Sequence, residues 1–314
     1  MSSTFRDNYN TDQLISKNRK VLSLCFEENI PFEYGEILGV DHIDEIDESI
    51  IERFIELQKE LGVSADGIIG RNTLNKIYDV HLSHDCQHVI YNGVKFPIHQ
   101  DMLSYKIITF DDVDGLDLHK YGNFSPKKNT DIDKIILHWG GLNPRHCFNV
   151  FKNRKASSHF LIGYDEKDML PVIFQVIDLK HKTWHGGKAN TNSVGIDICQ
   201  QPTLRWKDRY IGQGYNIKQI ENPTKIGERN IVSLDPKIVE MVHDLVFVLA
   251  ELFDVPLETS RDENGKVSHQ VLSSVKAGVY GHHHVDFKRV GKWDIACWWQ
   301  VIFSDTSLGD IDLV

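Results

Sequence analysis

The feature that most constrains the fold of this chain is an alternation of short apolar runs with amphipathic stretches, which begins at Asp131. The run 132–139 has the length of a buried strand, and Asn143 followed by Pro144 is typical of the N-cap and first residue of a helix. A longer helix is predicted from Asp235-Pro236 to Phe253. Further strands are predicted over 159–164, 171–177, 194–199 and 277–281. This alternation predicts an α/β domain over residues 129–314, with a mixed central sheet flanked by helices.

The first 80 residues have a different pattern, in which only helical periodicity is evident. Two helices are predicted over 12–29 and 49–61, joined by an acidic connection from Gly35 to Glu48. A third is predicted to begin near Asn72 or Thr73, after a glycine-rich turn. Residues 1–80 are therefore expected to form a small three-helix bundle. Residues 81–128 are less regular and are predicted to be a linker with some strand, because Asn92-Gly93 is a hairpin signal.

Composition excludes several classes of protein. The net charge of −10 argues against nucleic-acid binding, which requires a basic surface. No apolar run approaches the ~18 residues of a membrane span, and the polar N-terminus does not have the pattern of a signal peptide, so synthesis in the cytoplasm is expected. The five cysteines are an odd number without a Cys-x-x-Cys pair, which favours free thiols.

Histidines at predicted strand ends indicate a metal site. His138 ends the first apolar run, and His282 opens a run of three histidines after the last predicted strand. Successive residues of an extended chain point to opposite faces, so one or two of those three can reach one metal. With Asp294 as a third ligand, the set fits a catalytic zinc site with an open fourth position. Cys297 is the rival third ligand, since a thiolate also binds zinc well.

Three further positions carry both a functional and a structural interpretation. Asp197 interrupts an apolar strand, where a carboxylate is costly unless it is paired or functional, so it is either a general base or the partner of a nearby cation. Lys292 either stabilises a developing oxyanion beside the metal or is a solvated lysine. The segment Trp184-His185-Gly186-Gly187 either lines a substrate site or is a structural turn.

Several of these motifs occur in an order that resembles a known family. The motifs are Ile-Leu-His-Trp at 136–139, Ser-Ser-His-Phe at 157–160, Trp-His-Gly-Gly at 184–187, Asn-Ser-Val-Gly-Ile-Asp at 192–197, Gly281-His282, and Lys292-x-Asp294. Over about residues 130–304, the set resembles the zinc-dependent N-acetylmuramoyl-L-alanine amidases of the second type. That family includes phage endolysins, bacterial muropeptide amidases and animal peptidoglycan recognition proteins.

The resemblance implies roles for individual residues. It implies one Zn²⁺ per chain, held by His138, His282 and Asp294, with Lys292 and Asp197 as catalytic residues. Asp197 stands where the muropeptide amidases carry a glutamate, and Ser158 where some members carry a tyrosine. Four further motif positions are expected to contact substrate: His159, Trp184, His185 and Asn192.

The N-terminal region resembles a three-helix peptidoglycan-binding domain. The similarity lies in Phe54, Leu57-Gln58, Gly62 and the segment 66–74. Together the two resemblances imply a cell-wall lysin that acts on peptidoglycan or muropeptides by cleaving the bond between N-acetylmuramic acid and L-alanine. Without a signal peptide, it would reach the wall after release or delivery by another route. A recognition module that binds muropeptides without cutting them, and an intracellular muropeptide-recycling amidase, are the alternatives. Endolysin, tail-associated lysin and delivered toxin remain open as contexts, as does the oligomeric state.

Overall fold

The computed structural model describes residues 9–26, 28–113, 115–126, 131–224, 228–259, 277–285 and 295–303. The chain divides into two compact units, Met1–Gln100 and Asp101–Val314. This boundary differs from the predicted one, because the segment 81–128, expected to be a linker, is shared between the two units. Among the described residues, no helix is both long enough and apolar enough to cross a membrane.

The first unit contains the three predicted helices and one that was not predicted. Its helices are α1 (Thr11–Phe26), α2 (Phe32–Leu38), α3 (Glu48–Glu60) and α4 (Arg71–Ile77), followed by a π-helical turn at Tyr78–Leu82. The additional helix α2 overlaps the stretch expected to be an acidic connection. It ends where Gly39 adopts a left-handed conformation, with φ of 78°, and donates its N–H to the carbonyl of Gly35. This is a glycine C-cap, which the sequence analysis overlooked.

Two buried amide side chains build the turn between α3 and α4. Asn18 donates to the Gly67 carbonyl at 2.7 Å and accepts from the Ile69 N–H at 2.8 Å. Gln58 donates to the Ile68 carbonyl at 3.0 Å and accepts from the Gly67 N–H at 2.8 Å. Gly67 has φ of +75°, a conformation that side-chain-bearing residues rarely adopt. Asp66-Gly67 therefore marks a turn whose backbone groups form hydrogen bonds with side chains from the two helices α1 and α3.

A β-hairpin completes the first unit. Its strands, β1 (Cys86–Tyr91) and β2 (Val94–His99), are antiparallel, and Asn92-Gly93 forms the turn with φ of 53° and 73°. The predicted hairpin is thus present, but it packs on the helices and is not part of a linker. The Tyr34 hydroxyl donates to the Lys95 carbonyl at 2.6 Å, and the Asn92 side chain donates to the Leu24 carbonyl.

The second unit is built on the predicted mixed sheet. Its strands and short ladders are β3 (Ile107–Thr109), β4 (Phe124–Pro126), β5 (Lys134–Trp139), β6 (Phe160–Tyr164), β7 (Pro171–Gln175), β8 (His181–Thr183), β9 (Ser193–Ile198), β10 (Gln219–Glu221), β11 (Asn230–Val232) and β12 (Gly278–Gly281). Six of them form one sheet in the order β12-β5-β9-β6-β7-β3. Within this sheet β6 and β7 are antiparallel, and the other neighbours are parallel. The α/β prediction is confirmed.

Helices cover both faces of this sheet. They are α5 (Pro144–Lys152), α6 (Lys207–Gly212), α7 (Pro236–Leu252), α8 (His282–Val285) and α9 (Trp299–Phe303). On one face, Cys147 and Phe148 of α5 pack in a core cluster with Leu161 of β6. On the other, Tyr164 of β6 bonds to Asp235, the N-cap of α7. Residues three apart in a strand point to opposite faces, so the two helices sandwich the sheet.

The polar stretch 202–232 has a defined structure of its own. It contains α6 and the β10–β11 ladder, and it is anchored by aromatic stacking of Tyr210 and Tyr164 on Tyr215, with ring centroids 4.8 Å and 4.3 Å apart. Asp235, which is fully buried, accepts from the Asn216 N–H. Burial raises the pKa of Tyr210 to about 12, so this phenol stays protonated and serves as a hydrogen-bonding core residue.

Residues 101–126 belong to the second unit and correct the predicted linker. The short strand β3 pairs in parallel with β7 at the edge of the sheet. Leu116 and Leu118 are buried in the core cluster beneath α5, and β4 pairs with β8. The second unit therefore begins near residue 101 and not at residue 129.

Candidate active site

Two neighbouring strands bring His138 and Asp197 together. In the parallel pair β5–β9 their Cα atoms are register partners, so both side chains project from the same face of the sheet. Both are buried, with 4% and 6% of their surface exposed. A buried histidine beside a buried carboxylate is a typical arrangement of a functional site.

His282 enters the same site from the other side of β5. Gly281 ends β12 opposite Leu137, so the next residue lies beside His138. The rings of His138 and His282 have centroids 4.5 Å apart. The rings of His283 and His284 instead contact each other, with centroids 3.8 Å apart, and pack against Trp299. Of the three consecutive histidines, the described structure thus brings His282 to His138, as the resemblance implied.

The predicted third ligand and the predicted lysine, Asp294 and Lys292, lie outside the described residues. Within the described part of the chain, no group of three or more His, Cys, Asp or Glu side chains has metal-binding geometry. Cys297, the rival ligand, is described and is 1% exposed. The three-ligand zinc site therefore stays a prediction. Two of its proposed ligands, His138 and His282, are adjacent in the structure.

A third histidine, His185, contacts His138. Its Nδ1 lies 3.0 Å from Nε2 of His138, and its Nε2 lies 3.2 Å from the Ser193 hydroxyl. The two imidazole rings are almost perpendicular, at 88°. Trp184 precedes it, is partly exposed, and is held by its N–H bond to the Ser157 hydroxyl at 3.0 Å. The Trp-His-Gly-Gly turn therefore lies at the site, with His185 against His138.

Two other residues predicted to contact substrate, His159 and Asn192, form hydrogen bonds with backbone groups of the sheet region. His159 has no exposed surface; its Nδ1 accepts from the Gly195 N–H at 3.0 Å, and its Nε2 donates to the His181 carbonyl at 2.8 Å. Asn192 adopts a left-handed φ of 57°, and its carbonyl accepts from the N–H groups of residues 133 and 134. In the described structure both residues hold strands in place, and substrate contact by either stays a prediction.

Glycines that the sequence analysis did not single out make the site possible. A Cβ at Gly140 would lie 3.2 Å from Oδ1 of Asp197 and 2.9 Å from the Cys147 sulfur. A Cβ at Gly195 would lie 2.8 Å from the His185 ring. An isolated glycine inside a strand, as at 195, signals close approach of another group, and this signal was available in the sequence.

One buried cysteine, Cys199, lies next to Asp197, and its thiol is unreactive. Cys199 is fully buried, and its thiol lies 3.5 Å from the Asp197 carbonyl oxygen. Burial raises the pKa of the Cys199 thiol well above its usual value, and the neighbouring Cys147 and Asp197 raise it further. The thiol therefore stays protonated and fills the core beneath the carboxylate instead of acting as a nucleophile.

Comparison with known proteins gives a family and distant structural similarities. The sequence model of the N-acetylmuramoyl-L-alanine amidase family (Amidase_2) matches residues 128–294, more than half of the 314-residue chain. None of the curated proteins matches the chain. The solved structure of PlyL is 16% identical, with a TM-score of 0.35, and the match covers 67% of this chain and 99% of that one. A mutant endolysin from Bacillus subtilis is 17% identical, with a TM-score of 0.31, over 63% of this chain and 96% of that one.

Proposed function

The chain belongs to the N-acetylmuramoyl-L-alanine amidase family, and we propose that it is a zinc-dependent hydrolase that cleaves the amide bond between N-acetylmuramic acid and L-alanine in peptidoglycan. The observation that carries this proposal is that His138 and Asp197 share one face of the sheet and that His282 lies beside His138. All three are buried. Burial of such groups costs free energy unless they serve one another or a ligand.

The side chains present fit the metal that this family implies. His138 and His282 are adjacent imidazoles from separate strand ends, and we assign Asp294 as the third ligand of one Zn²⁺ per chain. This donor set leaves one coordination position open, as in catalytic zinc sites. Zn²⁺ held there would polarise the scissile carbonyl and lower the pKa of water toward ~7.

Asp197 is assigned as the general base. Its carboxylate is on the face that carries His138, in the adjacent strand, where it can accept a proton from the attacking water. It then returns that proton to the amine of the departing L-alanine. Lys292 is assigned to stabilise the oxyanion that forms on the carbonyl oxygen.

Product analysis tests this function. The full chain, loaded with zinc, is incubated with purified sacculi, and the soluble products are analysed by mass spectrometry. The expected products are free stem peptides with an L-alanine amino terminus and glycan whose lactyl groups carry no peptide. Asp197→Asn is the control and should release neither. Cleavage within the peptide or the glycan would contradict the assignment, and binding without release would favour a recognition module.

We further propose that the first unit tethers the enzyme to the cell wall. This unit is compact, and its Asp-Gly turn belongs to the sequence pattern that resembles a peptidoglycan-binding domain. Tethering raises the effective concentration of a catalytic domain on an insoluble polymer. Its place of action is then the cell wall, which it reaches by release or delivery.

Separating the two units tests the tether. A fragment of residues 101–314 should cut soluble muropeptides like the full chain but should lose much of its activity on sacculi. Residues 1–100 should sediment with sacculi. Equal activity of the fragment and the full chain on sacculi, with no sedimentation of residues 1–100 above a control protein, would remove the targeting proposal.

A further inference from the structure

The contact between His138 and His185 continues to a serine. Nε2 of His138, Nδ1 of His185, Nε2 of His185 and the hydroxyl of Ser193 form a chain of two hydrogen bonds, of 3.0 Å and 3.2 Å. His138 and Ser193 are buried, with 4% and 0% of their surface exposed. Both bonds are therefore largely sheltered from competition by water.

The surroundings fix the ring of His185 in this position. The backbone N–H groups of His185 and Gly186 both donate to the side-chain oxygen of Asn190, which is buried. Gly195 leaves the space into which the ring packs, since a Cβ there would lie 2.8 Å from Cγ of His185. The position of the His185 ring is thus fixed by the bonds of its backbone to Asn190, by packing against Gly195, and by hydrogen bonds at both ring nitrogens.

A metal-binding His138 permits only one direction of proton donation along this chain. If His185 donated to Nε2 of His138, the proton of neutral His138 would sit on Nδ1, and neither nitrogen would keep a lone pair for a metal. In the opposite direction, Nε2–H of His138 donates to His185, and the lone pair is on Nδ1. His185 then carries its own proton on Nε2 and donates it to Ser193.

We infer that His185 is a positioning residue that fixes the tautomer and orientation of His138, with Ser193 fixing the tautomer of His185 in turn. This inference rests on the proposed metal site at His138. It gives His185 a role in preparing a metal ligand, and the substrate contacts expected of Trp184 and His185 stay predictions. Groups that orient a metal-bound histidine typically contribute about 10–100-fold to metal affinity or activity.

Zinc affinity of the full chain tests the inference, measured by competition with a chelator. His185→Ala should weaken zinc binding by about 10–100-fold. His185→Asn should restore most of the loss, because its side-chain oxygen can accept a bond at the place of Nδ1. Ser193→Ala should weaken binding by a smaller factor. The matched control is Ser158→Ala: Ser158 is equally buried and also lies against Gly195, but its hydroxyl has no hydrogen-bond partner among the described residues, so zinc affinity should not change.

A spectroscopic measurement separates this inference from the proposed function. Nitrogen NMR of the metal-free chain with labelled histidine, at about pH 8 and so above the ordinary histidine pKa of about 6.5, should show His138 protonated on Nε2. His185→Ala should lose that preference. A proton on Nδ1 of His138, or unchanged zinc affinity and unchanged tautomer in His185→Ala, would overturn the inference. If the wild-type chain takes up no zinc, the zinc dependence in the proposed function is contradicted. The NMR result still decides whether His185 sets the tautomer of His138.

Discussion

Both units of this protein bury polar side chains, but they use them in opposite ways. In the first unit, Asn18 and Gln58 bond to backbone groups of one turn, so their burial is explained by local structure. In the second unit, His138 and Asp197 come from two neighbouring strands, and His282, the residue after a third strand, lies beside His138. Buried amides that satisfy backbone indicate architecture, whereas buried ionisable groups gathered from separate strands indicate chemistry.

The strongest test of this comparison removes an imidazole from the site. His138→Ala or His282→Ala should lose bound zinc and essentially all turnover, because two of three proposed ligands cannot hold a catalytic metal. Elemental analysis and muropeptide digestion measure the two effects. The melting temperature of the zinc-free variant should stay close to that of the zinc-free wild type. Full activity in metal-free wild-type protein would remove the zinc mechanism.

The next test separates chemistry from metal binding at Asp197. Asp197→Asn should keep about one zinc per chain while lowering turnover by at least ~10²-fold, the lower range for a general acid–base group. Asp197→Glu should keep partial activity, since it retains a carboxylate. Wild-type turnover in the Asn variant would make Asp197 structural and move the search for the base to His185 and His159.

A third test breaks the architecture of the first unit without touching the second. Gln58→Leu should destabilise the first unit by roughly 1–3 kcal/mol for each buried backbone group left without its partner. Hydrolysis of soluble muropeptides should not change, because every proposed catalytic residue lies in the second unit. Chemical denaturation and a muropeptide assay measure the two quantities. A fall in turnover on soluble substrate would mean that the two units do not act separately.

The smallest expected effect concerns a second buried carboxylate. Asp165 is held by a bidentate pair with Arg145, with bonds of 2.5 Å and 2.6 Å. Burial raises the pKa of Asp165, but the hydrogen bonds from Arg145 and from the Lys167 N–H, together with the positive charges of both residues, outweigh it, and the net pKa lies below its usual value. A lowered pKa stabilises the folded state above the unfolded-state pKa of about 3.9, and this contribution is lost as pH falls below it.

Asp165→Asn should therefore cost roughly 1.5–3 kcal/mol at neutral pH, the range for hydrogen bonds to charged groups. The difference from wild type should shrink as the pH falls below about 4. Turnover corrected for the folded fraction should not change. Unfolding curves at several pH values measure the difference in free energy of unfolding between the variant and wild type. A difference that does not change with pH would show that the ion pair is not its source.

The sequence allowed much of the second unit to be predicted from local signals. Asn143-Pro144 marked the start of α5, and the apolar run before Trp139 marked β5. The family resemblance drawn from the ordered motifs is confirmed by the match over residues 128–294. Residues 101–126 were misassigned because β3 has three residues and pairs with a strand more than 60 residues later, a contact with no local signature.

The sequence by itself determined several helix starts and strand ends of the second unit, and that the chain is an α/β amidase. Capping, turn and periodicity signals act over a few residues, so they can be read without the fold. Only the tertiary structure decided that His282 and not its two neighbours lies beside His138, and that His185 lies between His138 and Ser193. Those choices depend on strand register and on the space left at Gly140 and Gly195, which arise when distant segments pack together.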